Sequence, residues 1–277
     1  MRPRSDSNVP QAAGDITREV QYSFTLRNKT NRLLRDARLW AYAPAKRTSA
    51  QDCEKVETSH PYDLITDELG NQILHFNLEE LPPYSAKHIT IQARLKLRDI
   101  PQAVMMQDLQ AFLRPEKYIE SGEPEICELA KRLSGRNGME TARNINDWVF
   151  QNLKYEGYLR GDRGALYALR NRRGDCTEFM YLFCALCRAN GIPARGIGGY
   201  ICRENTILKP QQYHNWAEFY VDGAWQICDP QKNVFGQDES TYVALNIIGE
   251  SSKNSPMRGF HRFRFQGDGL DVGMNSE

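Results

Sequence analysis

The stretch Arg172-Arg173-Gly174-Asp175-Cys176-Thr177-Glu178-Phe179-Met180-Tyr181-Leu182-Phe183-Cys184-Ala185-Leu186-Cys187-Arg188-Ala189-Asn190, closed by Gly191-Ile192-Pro193, decides the fold. Phe179, Leu182, Phe183, Leu186 and Ala189 form an apolar stripe at helical spacing, and Gly191 with Pro193 is a helix stop. Asp175 suits the N-cap, with Glu178 three residues on as an acidic variant of the capping box. Cys176 then falls at the first helical position, where unpaired backbone N–H groups and the positive end of the helix dipole favour a thiolate. Free cysteine is more often a buried structural residue, so the nucleophile reading needs a base.

His214 and His261 are the two histidines that follow the cysteine, and His214 has the better setting. Tyr213–Val221 reads as a strand, Asp222-Gly223 as a two-residue type I′ turn, and Ala224–Asp229 as the returning strand. With a two-residue turn Val221 opposes Ala224, and Asp229 opposes Trp216. Side-chain alternation puts His214 on the face of Asp229, one diagonal step away, at roughly 7–8 Å between backbones. A carboxylate on one ring nitrogen fixes the tautomer and leaves the other nitrogen for a thiol. Cys176, His214 and Asp229 are therefore the candidate catalytic residues: nucleophile, base and orienter.

The remaining cysteines carry weaker signals. Cys184 and Cys187 form a C-x-x-C inside the expected helix, with no second pair to complete a zinc site. Cys53, Cys127, Cys202 and Cys228 have no argued partner, and Cys228 is expected to point away from Asp229. His60, His75 and His88 have no ligand-like spacing, so neither a metal nor any other cofactor is expected.

Gly174-Asp175-Cys176 with its helix, Gly191-Ile192-Pro193-Ala194-Arg195, His214-Asn215-Trp216-Ala217-Glu218 and Trp225-Gln226-Ile227-Cys228-Asp229-Pro230 together resemble the transglutaminase-like superfamily over about residues 116–235. The preceding β-rich segment resembles the N-terminal domain of bacterial members. The resemblance implies an α+β, papain-like core in which the cysteine helix packs on an antiparallel sheet bearing histidine and aspartate. It also implies attack on an amide carbonyl and a thioester resolved by water or by an amine. Protease or amidase activity is the first expectation, with amine-accepting acyl transfer the alternative and a non-catalytic binding module a third. The oxyanion donors implied are the Cys176 N–H and an upstream side chain, for which Tyr155 and Tyr158 are candidates. Trp216 and Trp225 read first as packing residues, with Trp216 also the candidate substrate contact, able to shield the thioester from water. No loop has the dense acidic spacing that calcium favours.

The 277 residues suffice for two domains of about 100–200 residues each. Residues 1–14 read as a disordered arm, and 15–98 as a β-sandwich with Val20, Tyr22, Phe24 and Leu26 on one strand face. Further strands are expected at Leu39–Tyr42, Tyr62–Thr66, Gln72–Phe76 and His88–Leu97. A connector covers 99–115, the catalytic domain 116–265 with helices at Pro124–Leu133 and Met139–Leu153, and a tail 266–277. Phe260–Gly267 reads as a final edge strand. Thirty-six basic and thirty-five acidic residues leave a charge of +1, which speaks against nucleic acid. No run of about 18 apolar residues speaks for a membrane span. The polar Met1–Asn8 and the odd cysteine count suit the cytoplasm. A peptide, protein or other amide is the expected partner; the sequence leaves oligomeric state open.

Overall fold

A computed structural model describes residues 14–103, 109–249, 255–258 and 262–276. The arm expected over 1–14 lies outside them except for Gly14, as do His261 and part of the connector. The N-terminal part contributes β1 (Ile16–Asn28), β2 (Ala37–Tyr42), β3 (Gln51–Thr58), β4 (Asp63–Thr66), β5 (Gln72–Leu78) and β6 (Ala86–Leu97). The rest contributes α1 (Pro124–Leu133), α2 (Gly138–Asn152), β7 (Lys154–Tyr155), α3 (Ala165–Asn171), β8 (Arg173–Gly174), α4 (Cys176–Ala189), β9 (Ala194–Ile201) and β10 (Thr206–Ile207). It continues with β11 (His214–Val221), β12 (Ala224–Asp229), β13 (Val234–Phe235), β14 (Tyr242–Ile248), β15 (Phe263–Gln266) and β16 (Leu270–Met274).

Three sheets carry the architecture. One has the order β10-β1-β6-β3 with β16 added to β1, and a second has the order β15-β2-β5-β4. Their inner faces bury Tyr22, Phe24, Leu39, Phe76, Ile89 and Ile91 in one core, as alternation along half-buried strands requires. The third sheet, β13-β12-β11-β9-β14, is antiparallel throughout. On it lies α4, buried from Thr177 to Arg188, with α1, α2 and α3 packed around the helix. The fold is α+β: the cysteine helix lies on an antiparallel sheet and a small β-sandwich precedes it, as the resemblance implies.

The structure departs from the sequence reading in three features, of which one is the domain boundary: β10 and β15, inside the expected catalytic domain 116–265, pair with β1 and β2 and complete the sandwich sheets. Strand β3 is absent from that reading because Gln51-Asp52-Cys53-Glu54-Lys55-Val56-Glu57-Thr58 is mostly polar; it forms a sheet edge, where only alternate side chains near its start are buried. The tail expected at 266–277 is instead structural. Within it, β16 pairs antiparallel with β1, Phe24 opposite Met274 and Asn28 opposite Leu270, and buries Leu270 and Val272 in the sandwich core. Leu270-Asp271-Val272 is too short an alternation to read as a strand alone, and β1 supplies the partner. The edge strand read at Phe260–Gly267 is β15, on the border of the second sheet against β2.

Ending the chain after Gln266 removes the burial of Leu270 and Val272, together worth roughly 3–5 kcal/mol. The truncated protein is expected to melt well below the full chain in a calorimetric scan; equal melting temperatures would show that β16 contributes nothing.

Candidate active site

Helix α4 begins at Cys176 because Asp175 stops it from beginning earlier. The Asp175 Oδ1 accepts the Thr177 N–H at 2.8 Å, and the Glu178 carboxylate accepts the Asp175 N–H at 3.1 Å, which closes the capping box. Each carboxylate has a second duty: Asp175 Oδ2 accepts the Leu159 N–H, and Glu178 Oε1 the Arg163 N–H, both at 3.0 Å. The cap thereby ties the loop ahead of α3 to the helix start. Burial pushes the Glu178 carboxyl up to about 7, against the two N–H groups that favour its charge. Gly174 is required here because a Cβ would stand 2.3 Å from that of Glu178.

The β11–β12 hairpin has the register read from its turn, with Val221 opposite Ala224 and Ala217 opposite Cys228. Asp222 and Gly223 have φ of 53° and 84°, the positive values a type I′ turn demands. His214 and Asp229 accordingly meet, with Nε2 2.6 Å from Oδ2. Cys176 lies near enough for its charge to act on the imidazole together with that of Asp229. Burial alone would lower the imidazole pKa, but the hydrogen bond to Asp229 and the negative charges of Asp229 and Cys176 outweigh it and lift it to about 9. Cys228 points the other way, donating its S–H to Asn146 Oδ1 at 3.2 Å.

Cys176 is half-buried and opens onto a cleft of about 760 Å³. Its walls include Tyr155, Tyr158, Thr177, Tyr213, Asn215 and Arg262. Tyr155 is close enough that burial and the charges of Cys176 and Asp175 raise its phenol, whereas Tyr158 is 81% exposed at the rim. Trp216 does not belong to the cleft. Its ring is buried behind His214, centroids 6.3 Å apart, and meets Tyr242 edge-on at 5.0 Å. Of the two readings of Trp216, the structure has the packing residue and not the substrate contact: strand alternation places it on the His214 face, and it packs in one cluster with Ile197, Tyr242 and Ala244. Among the described residues no group of three or more His, Cys, Asp or Glu is arranged to hold a metal ion.

Residues 128–230 match the transglutaminase-like superfamily. This segment is a transglutaminase-like core. A solved structure described as that of a candidate cysteine protease from Cytophaga hutchinsonii is similar over 96% of this chain and 92% of that one, with a TM-score of 0.66 and 19% identity. That likeness extends the shared fold beyond the transglutaminase-like core. An uncharacterised Mycobacterium leprae protein is 28% identical over 123 residues, 42% of this chain and 43% of that protein. An uncharacterised Haemophilus influenzae protein is 30% identical over 108 residues, 37% of this chain and 28% of that one. The chain thus matches less than half the length of either curated relative.

Three residues around this site escape a reading of the sequence. Tyr242, on β14, donates its O–H at 3.0 Å to Asp229 Oδ2, the same oxygen that meets His214. Asn215 donates Nδ2 to Thr177 Oγ1 at 2.9 Å, while its buried Oδ1 has no partner among the described residues. Arg262 arrives at the cleft from far along the chain. Adjacency to His214 offers a signal for Asn215; none exists for Tyr242 or Arg262, which only the sheet order and the returning strand bring close.

Because Tyr242 and His214 share one carboxylate oxygen, Tyr242→Phe leaves more of the Asp229 charge to the imidazole. The His214 NMR titration midpoint, expected near 9, should move up by roughly half a unit in that variant. A midpoint that stays put or falls would mean that the tyrosine does not compete for the oxygen. The same raised pKa stabilises the fold fully below the unfolded value of 6.5, and this contribution is lost as pH rises through about 9. His214→Gln should therefore abolish that part of the stability loss between pH 6.5 and 9, as followed by denaturant midpoints.

Proposed function

We propose that this chain is a cysteine hydrolase that cleaves an amide bond through a thioester on Cys176. The reading is supported by the 2.6 Å His214–Asp229 bond together with the electrostatic influence of Cys176 on that imidazole and the opening of Cys176 onto a cleft. In the first half-reaction the thiol proton passes to His214 and the sulfur attacks the carbonyl carbon. The tetrahedral oxyanion is met by the Cys176 N–H, with the Tyr155 O–H the better buried of the two tyrosine candidates. Collapse breaks the C–N bond, and the imidazolium gives its proton to the departing amine. In the second half-reaction His214 takes a proton from water, which attacks the thioester; the acid is released and the thiol restored. Asp229 keeps the imidazole in the needed tautomer and supports its charge.

Acyl transfer to an amine uses the same first half. Water is favoured as acceptor by the burial of Trp216, which leaves that ring unable to screen a thioester in the cleft.

Five of the seven cysteines are buried, and Cys127 is the exposed reference. Limiting iodoacetamide near pH 7, followed by peptide mapping, should label Cys176 at least about tenfold faster than Cys127. His214→Ala should remove most of that advantage and bring Cys176 toward the rate of Cys127. Equal rates at Cys176 and Cys127 in the folded wild type would overturn the reading. With turnover of glutamine-containing peptides in hand, product masses with and without a primary amine decide between water and amine.

A further inference from the structure

We propose that Arg262 forms a carboxylate-binding subsite beside Cys176, so that the preferred acyl donor carries a carboxylate near its scissile amide. This rests on the cysteine-hydrolase reading and names the substrate class of that same site.

Arg262 is the one Lys or Arg among the described residues that line the cleft. It is held from two sides: Nη1 donates to the Pro210 carbonyl at 2.8 Å, and the guanidinium lies 5.4 Å from the centroid of the Tyr213 ring. Both supports belong to the segment that leads into His214. Among the described residues no carboxylate forms an ion pair with Arg262, in contrast with Arg195 and Arg188, which are paired to Glu218 and Glu116. A guanidinium offers five N–H donors, so one bond to a carbonyl leaves a planar edge suited to a carboxylate.

The acidic residues of the cleft do not fill this role. Asp175 has both oxygens directed at backbone N–H groups, of Thr177 and of Leu159. Asp162, on the loop ahead of α3, accepts the Tyr181 O–H at 3.0 Å. Neither draws Arg262 into an ion pair, and the cation is left facing a half-open cavity that also holds the nucleophile. An arginine positioned by a ring and a carbonyl has lost part of its side-chain freedom, so a bound anion costs less ordering than it would at a mobile surface arginine.

The test uses two alkylating probes of equal size, N-iodoacetylglycine and its carboxamide, on the full chain. In either reaction the Cys176 S–C bond forms as the C–I bond breaks, iodide leaves with the bonding pair, and His214 keeps the thiol proton. The ratio of acid-probe to amide-probe rates at Cys176 should exceed the ratio at Cys127 by roughly fivefold. Arg262→Gln should bring the two ratios together, and Arg262→Lys should retain part of the preference. A third probe, the α-amide of N-iodoacetylaspartate, separates the sources of the carboxylate. The larger preference with iodoacetylglycine marks a chain-terminal carboxylate, and the larger preference with the aspartyl probe marks an acidic side chain.

Fast labelling of Cys176 by the amide probe, with an acid-to-amide ratio no greater than at Cys127, would overturn the subsite while leaving the nucleophile standing. A wild-type preference that survives Arg262→Gln would also overturn it. If neither probe labels Cys176 faster than Cys127, the hydrolase reading falls and takes the subsite with it.

Discussion

The reciprocal cap at the start of α4 is the constraint on which the site depends. Asp175 and Glu178 between them accept four backbone N–H groups, two from the turn that starts the helix and two from the loop over residues 159–163. Both carboxylates are nearly inaccessible, and burial of such groups is tolerable only when their lone pairs are met. One short motif therefore sets three things together. It fixes where the helix begins, and hence that Cys176 holds the first position; it fixes the direction in which the thiol leaves the helix; and it fixes the near wall of the cleft. Beyond the cap, α4 is buried on all sides by three helices and β11, so the start cannot drift without unpacking the core.

Sequence carries most of this because the cap, the stripe and the stop lie within about twenty residues, and helix periodicity is a local property. The hairpin is legible for a similar reason: Asp222-Gly223 sets the register, and the register alone brings His214 to Asp229. What stays hidden is non-local. Gly198 and Gly199 in β9 look like strand breakers, yet a Cβ at Gly199 would stand 2.1 Å from the Val243 carbonyl oxygen, and one at Gly198 would strike the Tyr213 hydroxyl. Their value comes from neighbours on β14 and at the foot of β11, which no window around β9 contains. Trp216 illustrates a second limit. Alternation gives its face correctly, but whether a face meets solvent or Tyr242 is a question of layers, and strand alternation does not answer it.

Asp229 shows how a carboxyl group can sit at 0% exposure. Its Oδ2 meets His214 and the Tyr242 hydroxyl, and its Oδ1 accepts the Lys232 N–H at 3.3 Å. Removing one donor from such a carboxylate exposes the cost of its burial rather than merely the worth of one bond. The arrangement also links separate parts of the sheet, since Asp229 ends β12, His214 begins β11 and Tyr242 begins β14. Between β11 and β14 lies β9, whose glycines permit the close approach.

The sandwich enters the chemistry through β14. That strand is the border of the central sheet, and an uncovered border leaves backbone groups without partners. Here the side chains of Gln51 and Asn71 take the place of a further strand: each donates to and accepts from β14, Gln51 at Ala244 and Asn71 at Ile247, with distances of 2.7–3.0 Å. The Ala45 N–H adds a direct backbone bond to the Ala244 carbonyl. A bulge between Ala244 and Asn246 breaks the pairing with β9 at that point and lets Leu245 enter the sandwich core while Ala244 packs near Trp216. The N-terminal strands thus hold the strand that begins with Tyr242, and Tyr242 holds the carboxylate beside His214. The β-rich segment that precedes the transglutaminase-like core is therefore a wall of the site's foundation. Strand β14 gives Val243 and Leu245 to the sandwich core and Tyr242, Ala244 and Ile247 to the cluster around Trp216.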